Sequence, residues 1–86
     1  MWTIKLSVEA QKQLKSIDRS ASLKIQKYLQ ERVAKNPESF GKALSADLAG
    51  LWRYRIGDYR MICDIKNKEL LVLVVKIGHR SKVYDD

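Results

Sequence analysis

The sequence predicts an α+β domain made of an N-terminal strand, a helical hairpin and a three-stranded antiparallel meander. Three observations lead there. Apolar residues alternate with a period of two at the start of the chain, take helical spacing through residue 33, and return to a period of two after residue 50. The last three apolar runs are separated by connections of hairpin length. The length of 86 residues fits one small domain, 1–86, and excludes a large multidomain enzyme.

Trp2, Ile4 and Leu6 alternate with Thr3 and Lys5, the pattern of a half-buried strand. Ser7 is placed to cap a first helix, with Glu9 in its first turn, where the helix dipole favours an acid. Ala10, Leu14 and Ile17 form its apolar face. Asp18 or Ser20 caps a second helix, whose stripe is Ala21, Ile25, Tyr28, Leu29 and Val33. Asn36-Pro37 ends it, because the residue before proline avoids the α region. Residues 38–50 lack a long period and read as a loop with a short turn, anchored by Leu44 and Leu48. Leu51 to Ile56, Tyr59 to Ile65 and Leu70 to Ile77 then read as strands, joined by Gly57-Asp58 and by a turn around Lys66-Asn67-Lys68-Glu69. Leu70 to Val75 is apolar throughout, as expected of a central strand covered on both faces.

With 17 Lys and Arg against 10 Asp and Glu, the formal charge is +7. That excess favours a polyanionic partner, nucleic acid first, over a merely lysine-rich surface. No apolar run approaches the ~20 residues of a membrane span. The N-terminus lacks the pattern of an export signal, so the expected compartment is the cytoplasm. Cys63 is the sole cysteine and His79 the sole histidine, so neither an intrachain disulfide nor a structural zinc set is expected. No cofactor motif is present.

If Gly57-Asp58 is a two-residue turn, Arg55 lies opposite Arg60 and Arg53 opposite Ile62. Directly opposed residues share a face. Trp52, Tyr54, Ile56, Tyr59, Met61 and Cys63 then face the helices, and Arg53, Arg55 and Arg60 gather on the other side. Like charges opposed across a hairpin cost up to about 1 kcal/mol per pair. A bound anion would reverse the sign, and guanidinium holds phosphate through two parallel hydrogen bonds. The plainer alternative is an exposed face whose arginines point into water or pair with Asp58, Asp64 or Glu69. The tail, Gly78-His79-Arg80-Ser81-Lys82-Val83-Tyr84, adds a ring suited to proton transfer near neutral pH, two cations and a phenol on which a base could stack. Tyr84 could equally anchor the C-terminus. Cys63 falls on the core face as a small apolar residue.

The stretch from Leu48 to Arg60, with Gly78-His79-Arg80 and Val83-Tyr84, resembles the RelE/ParE superfamily of bacterial and archaeal toxins over essentially the whole chain. The resemblance implies a RelE-like fold similar to small microbial ribonucleases and a role as the toxin of a type II toxin–antitoxin system. RelE-like toxins enter the ribosomal A site and cut mRNA, and a cognate antitoxin neutralises them. Operator DNA is bound only as the complex with the antitoxin. The family's basic positions fall on Arg53, Arg55, Arg60 and Arg80, and its C-terminal tyrosine on Tyr84. ParE-like relatives act on DNA gyrase and generally lack this complete set, which favours the RelE-like branch here. The first two positions are often lysine in the best-known branch. Arginine rarely gives up its proton, which makes His79 the better candidate for base or acid.

The expected chemistry is metal-independent attack of a ribose 2′-hydroxyl on the adjacent phosphate. The catalytic candidates are Arg60 on the scissile phosphate, Arg80 on the transition state or the leaving 5′-oxygen, Tyr84 against a nucleotide, and His79. Arg53, Arg55 and Lys82 would hold RNA. A gyrase inhibitor and a non-catalytic antitoxin-binding relative are the alternatives.

Overall fold

The computed structural model describes residues 1–79. Strand β1 (Thr3–Leu6) leads into helix α1 (Val8–Ser16) through Ser7, which is extended at φ −63°, ψ 165°. Its Oγ accepts from the Ala10 N–H at 3.0 Å and donates to the Val75 carbonyl at 2.7 Å. One hydroxyl therefore caps the helix and ties it to the far strand. Helix α2 (Arg19–Tyr28) is capped by Asp18, which accepts from the Ala21 N–H at 3.0 Å. The helical hairpin is as expected, and of the two candidate caps Asp18 is used.

The expected second helix ends differently. Leu29–Val33 is a wider π-helical turn, and the Ala34 N–H reaches the Leu29 carbonyl at 2.8 Å. Val33 and Ala34 are both fully buried, and the Ala34 carbonyl accepts from Trp2 N–H at 2.9 Å. The apolar spacing in the sequence is compatible with either turn, so it did not reveal the change. Residues 37–48 hold a short helix α3 (Pro37–Phe40), a two-residue strand β2 (Lys42–Ala43) and a 3-10 turn over Ala46–Leu48. Pro37 stands in the first turn of α3, where its missing N–H costs nothing. Two residues are too short to show a period.

Strands β3 (Leu51–Ile56), β4 (Tyr59–Lys66) and β5 (Leu71–His79) form the expected meander. The register matches expectation, with Ile56 opposite Tyr59 and Arg55 opposite Arg60. Gly57 has φ +59° at the first central turn position, where a II′ hairpin needs it. The sheet has five strands in the order β1-β5-β4-β3-β2, with β1 parallel to β5. That pairing joins the two ends of the described chain and makes β5 an interior strand.

The helices cover one face. Ala10, Leu14, Ile25, Leu29 and Val33 pack on Tyr54, Met61, Cys63, Val72, Val74 and Ile77. On the other face Leu44 and Ile62 form a small second cluster with Leu48 and Leu51. Coverage of β5 on both faces holds only in part, since Leu71, Leu73 and Val75 stay half-buried. Among the described residues the cover on that side comes from the thin 42–48 segment.

Tyr54 anchors the 37–41 segment to the sheet. It is fully buried, and its hydroxyl donates to the Pro37 carbonyl at 2.6 Å. Gly41 lies against the ring. A Cβ there would sit 2.8 Å from Tyr54 Cε1 and 3.1 Å from the Arg53 carbonyl oxygen. The ring is held by its hydrogen bond and cannot swing away. Gly41→Ala is therefore expected to cost about 1–3 kcal/mol, read as a lower urea midpoint.

Burial raises the pKa of the Cys63 thiol, the Tyr54 phenol and, against a lowering influence from Arg32, the Tyr28 phenol. The folded state thus holds these protons more tightly than the unfolded chain. Their contribution is fully present below about pH 8.5 and is lost above it, as the unfolded thiol and then the phenols ionise, by up to about 1.4 kcal/mol per pH unit for each of the buried Cys63 and Tyr54 and by less for the part-exposed Tyr28. Urea midpoints measured from pH 7 to 11 should stay level and then fall.

Candidate functional site

The β3–β4 register puts Arg53, Arg55 and Arg60 on the sheet face away from the helices. The Cβ atoms of directly opposed residues lie about 4.5–5.5 Å apart, so Arg55 and Arg60 sit side by side. Two further cations join this face. Lys42 pairs with Arg53 across β2, and Lys76 lies opposite Ile62 across β5. Gly78 lies opposite Arg60 and leaves a side-chain-free position there.

These arginines are not all splayed into water. Arg53 is 6% exposed, Arg60 is half-buried and Arg55 is exposed. Nε of Arg53 and Nε and Nη1 of Arg60 are screened from solvent. Charge held in such surroundings acts on an incoming anion through a lower dielectric than water. Asp64 forms an ion pair with Lys66 at 3.1 Å.

His79 is the last residue of β5 and lies opposite Tyr59. Its ring meets Tyr59 edge-on at 5.9 Å and 82°. Alternation therefore places it on the helix side, and the sheet separates it from the arginine face. Arg80, Lys82 and Tyr84 lie outside the described residues. Cys63 is fully buried with a raised pKa, chiefly from desolvation, the setting of an inert structural thiol. Among the described residues no group of three or more His, Cys, Asp or Glu gathers to hold a metal ion.

Sequence reasoning found the three arginines and missed Lys42 and Lys76. Lys42 sits in a strand read as loop. The position of Lys76 depends on a register shift in β4–β5 at Ile62/Cys63, which alternation alone does not show.

The family model described as the ParE toxin of type II toxin–antitoxin systems, parDE, matches residues 4–84. Toxin RelG of Mycobacterium tuberculosis is 23% identical over 83 residues, covering 96% of this chain and 95% of that protein. The toxin–antitoxin complex RelBE2 of the same organism contains a chain with a TM-score of 0.88 and 22% identity, covering 94% of this chain and 93% of that one. The isolated RelE toxin of E. coli gives a TM-score of 0.77 at 16% identity, over 92% of this chain and 84% of that one. At these identities the likeness to the solved structures is one of fold.

Proposed function

The chain belongs to the ParE toxin family of type II toxin–antitoxin systems, within the RelE/ParE superfamily, and on the strength of its arginine face we propose that it arrests translation by cutting mRNA in the ribosomal A site. The observation that carries this reading is the pairing of Arg55 with Arg60, with Arg53 two residues along the same face. Three guanidinium groups on one face suit the charge that develops on a phosphate under attack.

In the proposed reaction the ribose 2′-hydroxyl attacks the adjacent phosphorus. The bond to the 5′-oxygen of the next nucleotide breaks, leaving a 2′,3′-cyclic phosphate and a free 5′-hydroxyl. RNA supplies this nucleophile and DNA does not. Arg60 holds the scissile phosphate, and Arg53 and Arg55 orient the backbone. Arg80 stabilises the transition state or the leaving oxygen, Lys82 adds to RNA binding, and Tyr84 stacks on a nucleotide. His79 remains the candidate proton carrier, and its place on the helix side means it must act around the end of β5. A site short of conventional acid–base groups relies on the ribosome to align the codon. A cognate antitoxin is the proposed protein partner, as in the toxin–antitoxin complex RelBE2.

Primer extension on mRNA after brief induction without antitoxin tests the reading. Cuts within translated frames are expected. Intact mRNA with induction of the DNA-damage response would assign the chain to gyrase, and intact mRNA without growth arrest would make it a non-catalytic relative.

A further inference from the structure

A cleft borders the edge of β5 near its end. β1 pairs with β5 only as far as Leu6 and Val74. Past that point Gln13 of α1 takes over, its Oε1 accepting from the Ile77 N–H at 2.6 Å. Between this edge and the α1–α2 connection lies a cavity of about 440 Å³, lined by Gln13, Asp18, Tyr59, Lys76, Gly78 and His79 among others. A neighbouring cavity of about 240 Å³ shares Asp18 and Tyr59 and runs to the Gly57-Asp58 turn. Lys76 and Gly78 belong to the arginine face, opposite Ile62 and Arg60, whereas Tyr59 and His79 belong to the helix side. The larger cavity is therefore bordered along the β5 edge by strand positions of both faces.

We propose that this cleft is a nucleobase subsite. An RNA strand with its phosphates on Arg53, Arg55 and Arg60 turns one nucleotide past Gly78 and seats the base against Tyr59 and His79. This inference rests on reading the arginine face as an RNA site. The cavity falls in the range of about 300–1,000 Å³ typical of small-molecule pockets. Its aromatic pair offers stacking surface that any base can use. Gln13, its oxygen held by Ile77, presents N–H donors to a base edge, and Lys76 places a cation where the strand crosses. Glycine at the crossing point lets a backbone approach closely.

The test is an NMR titration of the full ¹⁵N-labelled chain with a trinucleotide carrying 2′-O-methyl riboses, which cannot be cut. Shifts are expected at Tyr59, Ile77, Gly78 and the Gln13 side-chain amide, together with quenching of 2-aminopurine at one position. Tyr59→Leu keeps apolar bulk and removes the stacking face, and should weaken binding about tenfold or more. His79→Ala, at an exposed position, should weaken it less and serves if Tyr59→Leu fails to fold. Shifts confined to the arginine face, wild-type affinity in both variants, or no binding by the wild type would overturn the subsite. Binding in the cleft by a chain that never cuts mRNA would keep the subsite and refute the nuclease reading. Cleavage with a silent cleft would do the opposite.

Discussion

Arg60→Ala is expected to cut ribosome-held mRNA at least about 100-fold more slowly than the wild type, the usual cost of removing one preorganised donor from a developing oxyanion. Its fold should survive. Arg60 lies on the sheet face away from the helix-side core, so the substitution leaves that core intact, and the melting temperature should fall far less than for removal of a core side chain. Loss of activity without loss of stability is what separates a functional arginine from a structural one. Arg60→Lys keeps the charge and loses the planar, permanently charged guanidinium, and should fall between the two. Arg80→Ala, tested in the same translation extract, is expected to slow cutting as well. Undiminished cutting by both alanine variants would contradict the assignment.

Tyr54→Ala should be the most destabilising single change, at about 3–5 kcal/mol. The ring is fully buried, meets Tyr28 edge-on at 6.4 Å and ties Pro37 to the sheet. For a domain of this size each kcal/mol moves the melting temperature by about 4–8 °C. Tyr54→Phe retains the ring and loses only the hydroxyl, and should cost about 1–2 kcal/mol through the unpaired Pro37 carbonyl. Tyr54 lies between Arg53 and Arg55 in β3, so Tyr54→Phe should also lower cutting by loosening the segment that carries Lys42 beside Arg53. Urea denaturation of both variants checks the stabilities. A cost under 1 kcal/mol for Tyr54→Ala would show that the core is not centred on this ring.

Much of this architecture was legible because it rests on local rules. Ser7 before Val8 and Asp18 before Arg19 announce helix starts through their side-chain oxygens. Gly57-Asp58 sets the register that aligns Arg55 with Arg60, since a two-residue turn leaves one choice of pairing. What escaped is set by tertiary contact. The parallel pairing of Thr3–Leu6 with β5 joins residues about 68 apart, and no local pattern encodes it. The π-helical turn at Leu29–Val33 preserves the apolar spacing that suggested a regular helix. His79 joins the catalytic candidates through the chemistry of its ring and the resemblance, neither of which says which face it takes; it ends β5, one step along a strand reverses the face, and its ring lies against Tyr59. The cleft around Tyr59 was invisible for the same reason. Its walls come from α1, the α1–α2 connection, β4 and β5.

The most direct measurement is single-turnover cleavage on ribosomes programmed with a defined A-site codon, comparing all-ribose mRNA with mRNA carrying one 2′-deoxy sugar 5′ to the cut. The account predicts cleavage of the first to a 2′,3′-cyclic phosphate end and none of the second. Equal cutting of both, or a linear phosphate formed without the cyclic species, would contradict it.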